Sequence, residues 1–171
     1  EWCMKVGFGW KTKQTVEKEE MQYFIGICVE AIREHSDQNI TIGSAKPSGN
    51  SEYGEPNYWH ESEFHKFGFD CTNVSFDFYC FHFYKYMGKD NSPFLKNASA
   101  WELSKPILIA ETASLIKNPN KQFTPEEQLA LSWENDYAGV LFWSYHATDG
   151  YSDWENCRQD LKYFHDEHVD D

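Results

Sequence analysis

Four side chains suited to sugar chemistry occur near the ends of three β-prone segments: His82, Tyr84, Glu111 and Trp143. A carboxylate such as Glu111 can attack an anomeric carbon, and a tyrosine hydroxyl beside it can hold that carboxylate ionised and oriented. A histidine can bind a sugar hydroxyl or support the carboxylate, and a tryptophan face suits the apolar side of a pyranose. Each residue alone also fits an ordinary packing role, so the hypothesis depends on the four occurring together.

Four strands are predicted to position these residues, over 39–44, 75–84, 105–111 and 139–145. The third is nearly all apolar until it stops at Glu111, which is typical of a parallel strand buried on both faces. In the second, alternation places Cys80, His82 and Tyr84 on one face. The fourth ends with Trp143, Ser144 and Tyr145 and is also predicted to be buried. The carboxyl ends of parallel strands share one rim, so these side chains are expected to converge there.

Helices are predicted between and around the strands. Residues 16–35 form an amphipathic pattern, with apolar side chains at Tyr23, Phe24, Ile27, Cys28, Ala31 and Ile32. Thr124 and Glu127, with a proline between them, predict a capping box and a helix to residue 135. A second capping box, Ser152 to Glu155, predicts a final helix to His168. Short helical turns are predicted over 59–67 and 97–104.

The alternation of strands with helices predicts βαβ units and a parallel sheet in a single α/β domain over residues 1–171. The chain has 171 residues, whereas a complete (β/α)8 barrel typically needs about 250. Four such units fit either a small open sheet or half of an eight-stranded barrel.

Composition excludes several classes of function. The formal net charge of −13 argues against nucleic acid or an anionic membrane as partner. No apolar run is long enough to span a membrane. Aromatic residues make up 18% of the chain, which fits either a stacking surface for sugars or unusually aromatic packing.

Sequons and cysteines favour a secreted, extracellular protein. Sequons begin at Asn39, Asn73 and Asn97, and the chain contains five cysteines without a C-x-x-C pair. An odd number of cysteines predicts one free thiol or a disulfide to another chain. The chain begins at Glu1 without Met or a signal-peptide pattern, as expected of a mature product, a fragment or a trimmed chain.

Other chemistries find less support in the sequence. His60, His65 and His82 with Glu61 and Glu63 supply metal-ligand types, but neither H-E-x-x-H nor a tight ligand pair is present. There is also no G-x-S-x-G elbow for a serine hydrolase. We therefore expect neither a metal nor another cofactor.

The strand motifs resemble the last four strands of a retaining glycoside hydrolase of family 5, the β-mannanases and cellulases. These enzymes are (β/α)8 barrels with two catalytic glutamates. The motifs are Asp77-Phe-Tyr-Cys-Phe-His82-Phe-Tyr84, Lys105-Pro-Ile-Leu-Ile-Ala-Glu111 and Gly139-Val-Leu-Phe-Trp143-Ser-Tyr. They are short but correctly ordered, and the resemblance covers residues 20–165.

The resemblance implies that the four predicted strands are strands five to eight of a barrel, so that the chain is its C-terminal portion. By the same resemblance Glu111 is the catalytic nucleophile, His82 and Tyr84 are the strand-six pair beside it, and Trp143 is the aromatic platform under the sugar.

One departure from the family concerns the acid/base residue. The family carries it within an Asn-Glu-Pro motif at the end of strand four, and this chain contains no such motif. Glu1 lies about one helix before strand five, so it is either the acid/base itself or a residue just after a motif outside this sequence. Strands one to four are implied to lie outside the sequence in both cases.

The leading hypothesis is a secreted retaining glycoside hydrolase that acts on a β-linked polysaccharide or oligosaccharide, either mannan or a β-glucan. A half-barrel has unpaired sheet edges and an exposed apolar interior, so an N-terminal half or another chain is expected to complete it. The alternative is a non-catalytic descendant of such a barrel that binds carbohydrate or self-assembles outside the cell.

Overall fold

The computed structural model describes residues 16–44, 57–70, 73–114, 123–146 and 154–168. Its contacts divide the chain into two compact units. The first comprises residues 1–40 and 58–76, and the second comprises residues 41–57 and 77–171. Each unit is described by itself.

The second unit contains a parallel sheet in the order β1-β2-β3-β4. Its strands are β1 (Gly43–Ser44), β2 (Tyr79–Phe83), β3 (Ile107–Thr112) and β4 (Gly139–Phe142). Helices α3 (Pro125–Glu134) and α4 (Trp154–His168) belong to this unit, whereas α1 (Lys18–Arg33) and α2 (Glu61–His65) belong to the first. The predicted α/β fold with parallel strands is confirmed.

The connection from β2 to β3 is a series of 3₁₀ turns rather than one helix. The turns comprise Lys85–Met87, Lys89–Asn91, Pro93–Leu95 and Ala98–Trp101. The segment 97–104, predicted to be helical, therefore contains a single 3₁₀ turn. Asn97 caps that turn, because its Oδ1 accepts hydrogen bonds from Ser99 N at 3.0 Å and Ser99 Oγ at 2.7 Å.

The predicted start of α3 is confirmed in detail. Thr124 Oγ1 accepts from Glu127 N at 3.2 Å, and Thr124 N donates to Glu127 Oε2 at 2.7 Å. This reciprocal box satisfies two amide donors that the first helical turn leaves without intrahelical partners. Helix α4 also lies where predicted, although its proposed cap, Ser152, falls outside the described residues.

The prediction that the fourth strand is buried was wrong. β4 ends at Phe142, and Leu141 is 54% exposed. β4 is an edge strand of this sheet, with β3 as its only neighbour among the described strands. The apolar run 139–145 predicts a buried strand, but the described residues cover 139–142 only in part.

Helix α1 buries a different face from the one that its apolar pattern predicts. Tyr23, Phe24, Ile27 and Ile32 are all more than two-fifths exposed, whereas Gln22, Gly26 and Val29 are buried. Gly26 lets the Phe69 ring approach so closely that a Cβ there would lie 2.5 Å from the ring. Gln22 Nε2 donates to Tyr58 O at 2.7 Å. The close approach of Phe69 and the hydrogen bond from Gln22 Nε2 therefore determine the buried face, rather than hydropathy.

Aromatic packing forms the core on one side of β2. Phe81 is completely buried and meets Trp101 and Tyr137 edge to face, with ring centroids 5.7 and 6.2 Å apart. Tyr137 Oη accepts from Trp101 Nε1 at 2.6 Å and donates to Lys96 O at 3.1 Å. Burial raises the pKa of Tyr137 to about 12, although the bond from Trp101 acts in the opposite direction. The phenol therefore stays neutral and serves as a packing and hydrogen-bonding group.

Candidate active site

A β-bulge in β3 determines which way Glu111 points. Phe81 pairs with Ile109, but the next residue of β2, His82, pairs with Glu111 rather than Ala110. The pairing of β3 with β4 shifts over the same stretch, between Ile109 and Thr112. Because side chains alternate between faces along a strand, the extra residue moves Glu111 to the face of His82.

The carboxylate of Glu111 is held by two donors on one oxygen. Tyr84 Oη donates to Glu111 Oε2 at 2.9 Å, and His82 Nδ1 lies 3.1 Å from the same atom. Tyr84 is almost completely buried, whereas the carboxylate side chain is 25% exposed. No described residue donates to the other oxygen, Oε1. The geometry fixes the carboxylate and leaves one oxygen available for chemistry.

His82 is held in its neutral form. Burial lowers the pKa of this imidazole below the ordinary value of 6.5, although the negative charge of Glu111 acts in the opposite direction. The contact with Glu111 is therefore a hydrogen bond from a neutral ring rather than an ion pair. Nδ1 must carry the proton, because a carboxylate can only accept. Nε2 remains an acceptor for a ligand hydroxyl.

The balance of these two effects gives a test by NMR titration. Glu111→Gln removes the charge that raises the pKa of His82, so the pKa should fall further below 6.5 than in the wild type. The measurement is the pH titration of the His82 ring protons in the two proteins. An unchanged or raised pKa in the variant would contradict the arrangement of His82 and Glu111.

The same shift makes His82 a contributor to pH-dependent stability. A pKa below 6.5 in the folded protein means that the unfolded chain binds the proton more readily at mildly acidic pH. This contribution to the free energy of unfolding is therefore present above pH 6.5 and is lost as the pH falls through the folded-state pKa.

Trp143 follows β4 at the same edge of the sheet. Its backbone N donates to Thr112 O at 2.9 Å, which ties it to the residue after Glu111, and its peptide bond to Ser144 is cis. The indole is 44% exposed, so it offers an accessible aromatic face. The predicted convergence of His82, Tyr84 and Glu111 is observed, and the backbone of Trp143 lies beside the end of their sheet.

Sequence reasoning missed Tyr86. Its ring stacks on that of Tyr84, with centroids 5.8 Å apart and planes 4° from parallel, and it is 62% exposed. The stack restrains the ring whose hydroxyl holds Glu111. The only sequence signal was the two-residue spacing of the tyrosines, which falls where β2 has ended and alternation no longer applies.

The thiol of Cys80, in the strand that carries His82, is not a nucleophile. Cys80 Sγ donates to Ile42 O at 3.2 Å and accepts from Thr41 Oγ1 at 3.5 Å. Burial raises the pKa of this thiol; the bond from Thr41 acts against that, and the charge of Glu111 adds to it. The sulfur therefore stays protonated. Cys28 is likewise a free thiol, while Cys3 and Cys71 lie outside the described residues.

The remaining predicted residues divide into three groups. Glu1, the candidate acid/base, lies outside the described residues. The sequon asparagines Asn39 and Asn73 are exposed, and Asn97 is half-buried at its cap. In the described part of the chain, no three His, Cys, Asp or Glu side chains are grouped to hold a metal ion. His60 instead caps α2 by accepting from Ser62 N.

The fold of this chain is similar to part of several solved structures. The structure is similar to an endo-1,4-beta-mannanase from Eisenia fetida (TM-score 0.74, 23% identity) and a beta-1,4-mannanase from Aplysia kurodai (0.75, 22%). It is also similar to a beta-mannanase from Mytilus edulis (0.73, 21%). No protein-family model matches the sequence, and no curated protein matches it.

Coverage is unequal between the chains compared. The alignments include 87%, 90% and 91% of this chain but only 42%, 42% and 43% of the three mannanases. The chain thus spans about two-fifths of the length of the structures that it matches. Its fold is that of a part of a (β/α)8-barrel mannanase, which confirms the predicted resemblance at the level of fold. Within the described residues, no helix is long and apolar enough to cross a membrane.

Proposed function

We propose that this chain is the nucleophile-bearing, C-terminal part of a retaining β-mannanase. The proposal rests on the way Glu111 is positioned. Tyr84 Oη and His82 Nδ1 both bind Glu111 Oε2 at the carboxyl-terminal end of a parallel sheet. Both bonds that position the carboxylate go to Oε2, so the other oxygen is left for a reacting atom. Here Oε1 has no donor among the described residues and the side chain stays accessible.

In the proposed mechanism Glu111 Oε1 bonds to the anomeric carbon as the bond from that carbon to the glycosidic oxygen breaks. An acid, supplied by Glu1 or by a residue outside this sequence, gives the departing oxygen its proton. Water then attacks the glycosyl-enzyme, the same residue takes its proton, and Glu111 leaves as a carboxylate. Two displacements at one carbon retain its configuration.

The substrate class follows from the relatives and from the aromatic rim. The three similar structures are all named as β-mannanases, and two of them are specified for the β-1,4 linkage. The accessible indole of Trp143 offers a platform for one sugar face. We assign β-1,4-mannan as substrate ahead of β-glucan for that reason.

The setting proposed for the enzyme is extracellular. Asn39 and Asn73 are exposed, as glycan attachment requires, and Asn97 Nδ2 is not the atom used in its cap. The N-terminal part of a barrel, whether from a longer chain or a partner, would complete the fold. That completion is in keeping with a chain that matches 42% of a mannanase.

The test is hydrolysis of β-1,4-mannan by the intact protein, with proton NMR of the first anomer released. The expected product has the β configuration and appears faster from mannan than from β-glucan. An α product would refute the role of Glu111 as nucleophile. Binding of mannan without hydrolysis would refute the proposed enzymatic activity and favour the alternative of a non-catalytic carbohydrate-binding protein.

Tyr84→Phe tests the donor that holds the nucleophile. Removing the hydroxyl leaves the buried ring in place but frees Glu111 Oε2, so kcat should fall by about a hundredfold with little change in KM. Steady-state kinetics on a mannan oligosaccharide measure both constants. Tyr163→Phe, an exposed tyrosine of α4, is the control and should match the wild type. Equal kcat in Tyr84→Phe would remove the hydroxyl from the mechanism.

A further inference from the structure

We propose that a cavity on the opposite face of β2 and β3 binds a small organic anion, a carboxylate with a flat apolar body. Phe83 and Thr112 pair with each other one residue beyond His82 and Glu111, so their side chains point away from the candidate active site. Both line a cavity of about 210 Å³ that extends to the 3₁₀ turns and α3. Glu111 is not part of its wall.

Two polar groups in this wall have unused hydrogen-bonding capacity. Lys85 Nζ and Ser92 Oγ are both shielded from solvent, and no described residue or group forms a hydrogen bond with either. Ser92 is 2% exposed as a whole residue. A buried cation without a partner is costly, and an anion in the cavity would remove that cost by accepting from both groups.

Two further polar side chains of the wall, Thr112 and Gln128, already have hydrogen-bond partners. Thr112 Oγ1 donates to Gln128 Oε1 at 2.7 Å. Gln128 Nε2 donates to Ala113 O at 2.9 Å and to Phe123 O at 3.0 Å. These three hydrogen bonds connect groups of the protein with one another, and they therefore hold the floor of the cavity rigid. Recognition of a charged head group falls to Lys85 and Ser92.

The charge around the cavity is opposite to that of the chain. The sequence has 28 acidic residues and 15 basic ones, yet the described lining includes Lys85 and Lys89 and no Asp or Glu. In a protein with a net charge of −13, two lysines in one cavity wall create a locally positive region that favours the binding of an anion.

The body of the ligand is defined by the aromatic wall. Phe94 meets Phe83 and Phe123 edge to face, with centroids 5.7 and 5.6 Å apart. Cavities of roughly 150 Å³ lined by apolar side chains hold a benzene ring. A volume of about 210 Å³ therefore fits a ring with one carboxylate attached, a ligand the size of benzoate.

The experiment compares benzoate with benzyl alcohol, which has the same ring without the charge, by calorimetric titration of the intact protein. Benzoate should bind about tenfold or more tightly than benzyl alcohol, because only the carboxylate pairs with Lys85. Lys85→Met should abolish that preference, whereas Lys162→Met, which removes an equal charge from exposed α4, should preserve it. Equal affinity for the two probes, or binding of neither, would refute the site.

Thermal unfolding provides a second measurement, independent of calorimetry. Lys85→Met removes a buried, unpartnered charge, so its Tm without ligand should be no lower than that of the wild type. Benzoate should raise the Tm of the wild type but not that of Lys85→Met. If Lys85→Met does not fold, Ser92→Ala replaces it and should weaken benzoate binding several-fold. Undiminished benzoate binding by Ser92→Ala would then count against the proposal. Loss of mannan hydrolysis alone would not affect it.

Discussion

Glu111→Gln should abolish mannan hydrolysis by the intact protein, lowering kcat by more than about a thousandfold. The amide keeps the size of the side chain and can still accept from Tyr84 and His82, but it cannot form the glycosyl-enzyme. Initial rates on a mannan oligosaccharide measure the loss, and circular dichroism checks that the fold is unchanged. Glu155→Gln, on the exposed side of α4, is the matched control and should retain full activity.

Glu111→Ala adds a test that a purely structural glutamate would fail. The shortened side chain leaves space for azide, a small anion that can attack the anomeric carbon in place of the carboxylate. A nucleophile variant should regain turnover with azide and release a glycosyl azide of inverted configuration. Full activity in Glu111→Gln, or no azide product from Glu111→Ala with an activated substrate, would assign the nucleophile to another residue.

Phe81→Ala should lower the free energy of unfolding by about 3–5 kcal/mol. The side chain is completely buried against Trp101 and Tyr137. Trp101 Nε1 donates to Tyr137 Oη, which donates to Lys96 O, and these bonds limit how far the two rings can move into the space that Phe81 leaves. Denaturant unfolding of the intact protein measures the change. Phe81→Leu, which keeps most of the volume, should cost clearly less.

Tyr163→Ala is the exposed counterpart and should change the unfolding free energy by less than about 1 kcal/mol. A loss of similar size in Phe81→Ala would mean that the aromatic cluster contributes little to the stability of this unit. Because the chain has two units, coincident transitions by two probes are needed before one free energy is assigned.

The parts of the fold that local chemistry determines were predictable from the sequence. The capping box at Thr124 and Glu127 fixed the start of α3, and the apolar run before Glu111 fixed β3. Both patterns lie within a few residues of sequence, so they can be recognised without knowing which residues pack against them. The fold class followed from their alternation.

Predictions that needed a neighbour were less successful. The buried face of α1 depends on Phe69, more than forty residues away, whose ring requires Gly26 to have no side chain. The exposure of Leu141 depends on what lies beside an edge strand. Hydropathy alone cannot report either, because it describes the residue and not the surface that meets it.

The candidate site was predicted in its members but not in its construction. Alternation correctly placed His82 and Tyr84 on one side, although Tyr84 lies one residue beyond the end of β2. It could not show that Glu111 reaches that face only through an extra residue in β3. No pattern in the run Ile107–Thr112 announces the bulge, since every residue before Glu111 is apolar. The role of Glu1 stays a prediction.

Because of the extra residue in β3, the number of residues in the strand, rather than the identity of its side chains, determines which face of the sheet carries the Glu111 carboxylate. Between Ile109 and Thr112, β3 advances one step more than either neighbour. If β3 advanced in step with its neighbours, Ala110 would pair with His82, and Glu111 would pair with Phe83 and face the aromatic cavity lined by Lys85. The acidic group would then neutralise the cavity proposed here to bind an anion, and the proposed active site would lose its nucleophile. One extra residue in β3 therefore places an acidic side chain on one face of the strand and keeps the other face free of acid, as the proposed anion cavity requires.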